Sequence, residues 1–442
     1  MSRLVLTAES LSRLQNELLA HEEESCAILF GRSINIGNKL ARLVIRESVI
    51  PPASAYAIRT RVRAQLKPEF VAEVTAQARR NQDAVVFAHT HPFNGVSDFS
   101  PIDDAGEKEL REFLRRRMPE PVHATLLVTP ENAVARVLGQ RTPLRVVGVG
   151  RRILWGEQSR QAQADKRYDR QVRIFGEDGQ VILKSIRVGI VGLGGTGTVV
   201  LQQLAHLGVR KFLLVDPDIV DETNLNRLIG ARSKDISKSK VSIAAAWAKR
   251  IEPSAEIESK KESVLLERSA RPLVDTDFVF CCTDSEGSRA VLNQLAYQYL
   301  VPVIDMGVVI AAQKGHVANI AGRTQMLAPG LPCLTCANLL DAEQVRRDLL
   351  TDFERQADPY ILGDHEPAPA VISLNSTIAS LATTMFLNAT IGMPGNARFL
   401  NYDAITGTVR PATCTPHASC IVCSPRGALA RGDEWPLPAR QD

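Results

Sequence analysis

The sequence predicts an α/β protein in which a compact α+β domain is followed by a doubly wound domain with a parallel sheet. Its 442 residues exceed the length of one ordinary hydrophobic core. The first third mixes candidate strands and helices in irregular order, whereas strands and helices alternate regularly from about residue 168. A polar, charged stretch separates the two patterns. We therefore predict domains at 1–155 and 168–442, joined by a linker at 156–167.

The first domain is predicted to contain three helices among several short strands. Apolar residues at helical spacing, or a proline at the first helical position, indicate the helices. Continuous or alternating apolar runs bounded by turn residues indicate the strands. We expect helices at 8–20, 68–80 and 101–116, and strands at 26–30, 40–50, 84–88, 122–128 and 134–138. Gly31 is expected to end the strand at 26–30.

The second domain is predicted to be Rossmann-like, because its strands and helices alternate. We expect strands at 185–191, 211–216, 277–282 and 301–305, with helices at 198–207, 239–250 and 289–299. Strands that alternate with helices of this length form a parallel sheet with helices on both faces.

Composition and charge exclude several classes of function. The chain is 45% hydrophobic and 23% charged with a net charge of +4, so no concentrated basic surface for nucleic acid is expected. No apolar run of about 18 residues and no N-terminal signal pattern occurs, which predicts a cytoplasmic protein without a membrane span. In a reducing compartment, closely spaced cysteines bind metal more often than they form disulfides.

Two histidines end the strand predicted at 84–88. His89 and His91 are two residues apart, so they share one face of the strand, as two ligands of one zinc ion would. Asp103, in the first turn of the next helix, is the candidate third ligand, which leaves one position open for water. Ser100 and Asp103 also fit an ordinary helix start without any metal. The two histidines favour the metal site.

These residues resemble the JAB/MPN (JAMM) metalloprotease motif over roughly residues 5 to 140. The resemblance rests on His89-x-His91-Pro92, on Ser100-x-x-Asp103 and on Glu24-Ser-Cys-Ala-Ile-Leu-Phe-Gly31. It implies a catalytic Zn²⁺, with Glu24 as general base and proton donor and Ser100 steadying the oxyanion. Members of the family cut after the C-terminal glycine of ubiquitin-like proteins.

The chain departs from the motif in two places. Ala27 stands where the family has glycine, and the spacing from His91 to Ser100 is one residue longer than in the family motif. Neither departure removes a ligand. By position alone, Glu22 and Glu23 remain alternatives to Glu24.

A glycine-rich turn follows the first strand of the second domain. Glycines there let the chain turn and let a phosphate approach backbone N–H groups at a helix start; they are Gly192, Gly194, Gly195 and Gly197. Asp216 ends the next strand, where a carboxylate accepts ribose hydroxyls. These features alone fit NAD, FAD or ATP equally.

The residues after Asp216 favour a triphosphate. Arg227 and Lys240 add cations beyond the first phosphate, and Asn224 adds a polar group. Asp284, after a predicted strand, is a candidate Mg²⁺ ligand through water. Taken singly, the cations also fit solvated surface charges and Asp284 an ordinary helix cap.

Together these residues resemble the ThiF/MoeB family, which is shared with ubiquitin-activating enzymes, over about 165 to 425. The motifs are Arg167-Tyr-Asp-Arg170-Gln171, GxGGxG, Asp216-x-Asp218, Asn224-Leu-x-Arg227, Lys240, Cys-Thr-Asp284 and Tyr402-Asp-Ala-x-Thr406. The resemblance implies that Asp216 holds ribose, that Asn224, Arg227 and Lys240 hold phosphates, and that Asp284 holds Mg²⁺. Arg170 would reach the ATP of a neighbouring protomer, which implies a homodimer. The implied reaction is ATP-dependent adenylation of the C-terminal glycine of a ubiquitin-like protein.

Two CxxC pairs predict a second metal site. Four thiolates form a closed tetrahedral zinc site, which would be structural; the candidates are Cys333, Cys336, Cys420 and Cys423. Relatives that form a thioester carry a cysteine after the first pair, but residues 337–413 contain none. Cys414 is the remaining candidate for a thioester cysteine, but its position differs from that in the family. We therefore expect adenylation without an obligatory enzyme thioester.

Both domains resemble enzymes that act on a tail ending in glycine, and two pathways fit. In a prokaryotic conjugation pathway, one domain would process or remove the ubiquitin-like protein and the other would activate it for a conjugating enzyme. In a sulfur-carrier pathway, the adenylate would become a thiocarboxylate. A non-catalytic scaffold and a nicotinamide oxidoreductase are further alternatives, and Arg227, Lys240 and Asp284 speak against the latter.

Overall fold

The computed structural model describes residues 1–93, 98–156, 165–313, 316–351, 353–354 and 369–441. The chain separates into two compact units. The first comprises Met1–Gln158, Gln298–Leu300 and Ala428–Trp435, and the second comprises the remaining segments. The linker predicted at 156–167 falls largely on residues 157–164, outside the described residues. The domain boundaries given above stay predictions.

A curled eight-stranded sheet organises the first unit. Its strands run in the order β1-β3-β2-β6-β7-β8-β9-β10, and β1 also pairs with β9, so the sheet closes on itself. The strands are β1 (Arg3–Thr7), β2 (Cys26–Ile36), β3 (Lys39–Val49), β6 (Ala84–Thr90), β7 (Ala124–Val128), β8 (Ala133–Val137), β9 (Pro143–Val149) and β10 (Leu154–Trp155). A separate hairpin pairs β4 (Tyr56–Thr60) with β5 (Arg63–Leu66).

Three helices cover this sheet, close to where the sequence predicts them. They are α1 (Ala8–Leu18), α2 (Pro68–Asn81) and α3 (Pro101–Arg117). The continuous apolar run in β2 has a simple cause, since both of its faces are buried: Leu29 packs in one core cluster with Leu11, and Phe30 packs in another with Leu114.

The prediction that Gly31 ends a strand is wrong. β2 continues to Ile36, with an irregularity in its pairing between Phe30 and Gly31. A Cβ atom at Gly31 would lie 2.0 Å from the carbonyl oxygen of Val44, so glycine is needed there for the close approach of two strands. The strands β1, β4, β5, β9 and β10 are additional to those predicted.

The second unit contains the predicted doubly wound sheet. Its strand order is β13-β12-β11-β14-β15-β16-β17-β18, in which the first five strands are parallel and the last three antiparallel. The strands are β11 (Arg187–Val191), β12 (Lys211–Val215), β13 (Glu256–Lys260), β14 (Phe278–Cys281), β15 (Val303–Gln313), β16 (His316–Leu327), β17 (Phe399–Asp403) and β18 (Thr408–Pro411). The fold class predicted for both parts of the chain is confirmed.

Seven helices accompany this sheet in the described part of the chain. They are α4 (Asp169–Ser185), α5 (Gly195–His206), α6 (Lys240–Ile251), α7 (Glu267–Ala270), α8 (Glu286–Gln298), α9 (Ala342–Leu349) and α10 (Ile372–Thr390). The strand order reverses beside β11, which pairs with β12 on one side and β14 on the other. Ligands of such sheets bind at the carboxyl end of the strands at this point. Among the residues described, no helix is both long and apolar enough to cross a membrane.

Candidate functional site

His89 and His91 meet Asp103 at the end of β6. The Nε2 atom of His89 lies 3.2 Å from one carboxylate oxygen of Asp103, and the Nε2 atom of His91 lies 3.5 Å from the other. His91 is buried, and His89 and Asp103 are largely so. Burial raises the pKa of Asp103, but the two neighbouring imidazoles lower it more, so that its pKa lies below the ordinary range.

The helix start and the ligand set share Asp103. Ser100 caps α3: its Oγ atom accepts from the Asp103 backbone N–H at 3.3 Å, and its own N–H donates to Oδ2 of Asp103 at 2.6 Å. The other carboxylate oxygen, Oδ1, faces His89. The capping box therefore fixes the Asp103 side chain in the orientation that a ligand needs. The two interpretations of this stretch are compatible.

Glu24 completes the cluster from the residues just before β2. Its Oε1 atom lies 3.8 Å from Nε2 of His91, and its backbone N–H donates to the carbonyl of Thr60 at 2.8 Å. Burial raises the pKa of Glu24, and the charges of His89 and His91 only partly offset this. Of the three glutamates considered, Glu24 is the buried one; Glu22 and Glu23 are exposed.

The donor atoms of this cluster suit a zinc ion. One atom each from His89, His91 and Asp103 lie within 4.8 Å of one another. The buried Nε2 atom of His89 has no well-directed hydrogen bond among the described residues. Two imidazoles and one carboxylate are the ligand types of catalytic zinc, with a fourth position left for water.

The glycine turn links β11 to α5 as the sequence predicts. Gly192 has a φ of +88°, which disfavours a side chain. A Cβ atom at Gly197 would lie 1.9 Å from the carbonyl oxygen of Gly192, so this position also requires glycine. Gly194 stands at the N-cap of α5 without any side-chain cap, which leaves the first N–H groups of the helix directed at the turn.

Asp216 is fixed beside that turn. Its two carboxylate oxygens accept the backbone N–H groups of Leu193, at 2.5 Å, and Asp218, at 2.8 Å. Burial raises the pKa of Asp216, and these hydrogen bonds together with Lys240 oppose the rise. A carboxylate held in this way at a strand end is positioned for ribose hydroxyls.

The predicted phosphate ligands lie on the loop and helix after Asp216. The Nζ atom of Lys240, the first residue of α6, is 2.7 Å from a carboxylate oxygen of Asp218. Arg227 donates to the carbonyl of Thr223 at 2.7 Å, and its Cδ atom lies beside Gly195. Asn224 accepts the N–H of Asp221 at 3.3 Å. Arg227 and Gly195 are thus adjacent, as a shared phosphate would require.

Asp284 and Arg170 are both exposed. Asp284 lies three residues after the end of β14. Cys282, between that strand and Asp284, lies close to Gly192 of the glycine turn. Arg170 lies in the first turn of α4. The roles of all these residues in binding or catalysis stay predictions.

The four late cysteines form one buried cluster. Their Sγ atoms approach to 3.5 Å, between Cys333 and Cys420 and between Cys336 and Cys423. A hydrogen bond from Cys423 lowers the pKa of Cys333 to about 5, whereas the same pairing and burial raise the pKa of Cys423. Such a cluster of thiols fits a closed, structural zinc site.

Four further cysteines lie outside this cluster. Burial raises the pKa values of Cys281 and Cys282, and it raises that of Cys26 to about 12. Cys414 is half-buried, with its Sγ atom 3.6 Å from the carbonyl of Cys336. Buried thiols with raised pKa values are poor nucleophiles.

Comparison with known proteins identifies the family. Residues 168–422 match the model of the ThiF family. The chain belongs to the ThiF family. In addition, residues 9–138 match the model of prokaryotic homologs of the JAB domain, so the chain joins a JAB domain to a ThiF domain.

The curated relatives of this ThiF protein include adenylyltransferases. The SAMP-activating enzyme E1 of Haloferax volcanii is 25% identical over 265 residues, which cover 59% of this chain and 89% of that protein. The molybdopterin-synthase adenylyltransferase of Escherichia coli is 30% identical over 261 residues, which cover 58% of this chain and 95% of that protein. Adenylyltransferase and sulfurtransferase uba4 of Aspergillus niger is 30% identical, over 39% of this chain and 36% of that protein.

A crystal structure of E. coli MccB with MccA-N7isoASN is also similar. It is 18% identical with a TM-score of 0.48, and the match covers 59% of this chain and 76% of that chain.

Three features around the sites lack a clear signal in the sequence. The β4–β5 hairpin holds Arg59, which donates to the Ser25 hydroxyl at 2.7 Å beside Glu24. Arg136 on β8 anchors α3 through Glu107, at 2.8 Å. Asn375 on α10 contacts Gly195. Each pairs residues far apart in sequence, and spacing alone does not show such contacts.

Proposed function

We propose that this ThiF protein adenylates the C-terminal glycine of a ubiquitin-like protein with ATP and that its JAB domain cleaves bonds made to that glycine. The observation that carries the proposal is the cluster of Glu24, His89, His91 and Asp103 in a chain whose second half belongs to the ThiF family. Because both domains resemble enzymes that act on a tail ending in glycine, we infer that they share one substrate.

In adenylation, the tail carboxylate attacks the α-phosphate of ATP and pyrophosphate leaves. The N–H groups at the start of α5, with Arg227 and Lys240, would neutralise phosphate charge, and Asp216 would hold the ribose. Asn224 would add a phosphate contact, and Asp284 would hold Mg²⁺ through water. Positioning and charge neutralisation suffice for this chemistry.

In cleavage, a zinc ion bound by His89, His91 and Asp103 would lower the pKa of a water molecule towards ~7. Glu24 would take a proton from that water and pass it to the leaving amine. The Ser100 hydroxyl, whose oxygen accepts the cap hydrogen bond, would use its proton to steady the oxyanion. A zinc ion on the four cysteines would be structural.

One experiment tests both activities. The protein is incubated with ATP and with small proteins ending in Gly-Gly, and the acyl-adenylate and pyrophosphate exchange are measured. Linear fusions of the same proteins report cleavage. We expect Asp284→Ala to abolish exchange and to leave cleavage intact, and His89→Ala to do the reverse. Loss of both activities in either variant would contradict two independent centres.

The homodimer is part of the proposal and has its own test. If Arg170 serves the ATP of a neighbouring protomer, then Arg170→Ala and Asp284→Ala chains are inactive separately but complement each other when mixed. Random reassortment restores about a quarter of the wild-type exchange, since half of the dimers are mixed and each has one complete site. No recovery after demonstrated subunit exchange would place Arg170 outside the partner's site.

A sulfur-carrier pathway is the second candidate, and two relatives favour it by name: the E. coli molybdopterin-synthase adenylyltransferase and the Aspergillus niger adenylyltransferase and sulfurtransferase. The lack of cysteine in residues 337–413 is compatible with both pathways. The fate of the adenylate separates them. Covalent conjugates formed with a conjugating enzyme support the first, and a thiocarboxylate formed with a sulfur donor supports the second.

A further inference from the structure

Asn375 is a buried amide beside the glycine turn. It lies in the first turn of α10, which packs along α5, the helix that begins at Gly195. Its exposed fraction is 7%. A Cβ atom built on Gly195 would lie 2.3 Å from Nδ2 of Asn375 and 3.3 Å from Cδ of Arg227. The amide nitrogen therefore contacts the turn, on the glycine that Arg227 also contacts.

The side-chain amide of Asn375 makes no hydrogen bond to any residue that the structure describes. The hydroxyls of Thr377 and Thr383, on the same helix, are satisfied instead by carbonyls one turn back, at 3.0 Å and 2.9 Å. Neither amide atom of Asn375 is both fully buried and unpaired, so the amide keeps some exposure although most of the side chain is buried. A donor that lies against the glycine turn and makes no hydrogen bond among the described residues is available to a ligand there.

We propose that Asn375 is a nucleotide-binding residue, whose Nδ2–H donates to a phosphate oxygen of ATP held at the glycine turn. This inference rests on the proposed adenylation and adds a residue from a distant part of the sequence to that site. A neutral donor suits the position, since it contributes a hydrogen bond without adding charge beside Arg227.

The test compares Asn375→Leu and Asn375→Asp with wild type. Leucine has a similar volume and no donor, so ATP affinity measured by titration calorimetry should fall roughly tenfold or more, as expected for a lost hydrogen bond to a charged group. The Tm without ATP should stay the same or rise, because hydrocarbon replaces an unpaired amide. Aspartate, which is isosteric but anionic, should weaken ATP binding further.

Ser380→Asp is the matched control. Ser380 is exposed on the same helix, so the same charge there should leave ATP affinity unchanged. Wild-type ATP affinity in Asn375→Leu, with or without a lower Tm, would overturn the inference, because the amide would then serve packing alone. Should Asn375→Leu not fold, wild-type affinity in Asn375→Asp would overturn it. Absence of ATP binding and exchange in the wild-type protein would instead overturn the proposed function.

Discussion

Each candidate site lies where a strand of its own sheet is followed by a helix, but the two helix starts differ in how their N–H groups are satisfied. In the JAB unit, side chains converge after β6, and Ser100 and Asp103 satisfy the start of α3. In the ThiF unit, the start of α5 has no side-chain cap, and its N–H groups point at a turn of glycines. A capped helix start leaves a carboxylate to face a cation, whereas an uncapped one attracts an anion. The first site therefore depends on side chains, whereas the second combines backbone N–H groups with side chains such as Asp216 and Lys240.

The four-cysteine cluster should give the largest effect, because it is closed and buried. Cys336→Ala should release one zinc per chain and lower the Tm of the ThiF unit by more than about 10 °C, since a structural zinc contributes directly to folding. Zinc content and calorimetry measure this. Cys414→Ala, next to the cluster but outside it, should keep the zinc and the Tm. An unchanged Tm after zinc loss would mean that the cluster does not hold the fold together.

The histidine cluster should behave in the opposite way. His89→Ala should release the other zinc and reduce cleavage by roughly a thousandfold, because the water loses its activation. The Tm should change little, since His89 is at a strand end and α3 keeps its cap. The measurements are zinc content, cleavage of the fusion substrate and calorimetry. A large fall in Tm would show that this metal is structural as well, and the contrast between the two clusters would fail.

The contribution of the backbone predicts a large effect from one glycine substitution in the turn. Gly197→Ala would bring Cβ to 1.9 Å from the Gly192 carbonyl, so the turn must distort, and we expect pyrophosphate exchange to fall by about 100-fold. Gly106→Ala, in α3 of the JAB unit, is the control, because a Cβ atom there meets nothing within 4 Å and the residue lies outside the proposed ATP site. Its exchange should stay within about threefold of wild type. Wild-type exchange in Gly197→Ala would show that ATP binding does not depend on this close approach.

The sequence predicts the regular parts of this molecule better than its irregular ones. The strands and helices around β11 are predicted closely, because alternating apolar runs report burial directly. The strands β1 and β9 were not predicted, since Leu4 and Val146 join the core through pairing between distant segments. The prediction that Gly31 ends a strand is wrong because, in sequence, a glycine needed for the close approach of two strands cannot be told from one that ends a strand.

The same limit applies to the sites. Residues near each other in sequence, such as His89 and His91, are brought together as their spacing predicts. Asn375 and Arg59 contribute from elsewhere in the chain, and only the packing of α10 and the β4–β5 hairpin reveals them. A sequence motif predicts residues that are close along the chain, whereas residues that reach a site from distant segments depend on tertiary contacts.

The smallest effect concerns the cap of α3. Ser100→Ala removes the side-chain oxygen that accepts from the Asp103 N–H, and the free energy of unfolding should fall by about 1 kcal/mol. Ser239→Ala is the control, because Ser239 precedes α6 without making a cap hydrogen bond, and it should change stability by less than about 0.5 kcal/mol. Zinc should stay bound in both variants, since the Ser100 backbone N–H still orients Asp103. Loss of zinc from Ser100→Ala in denaturant-free buffer would show that the hydroxyl itself, and not the backbone, holds the carboxylate in place.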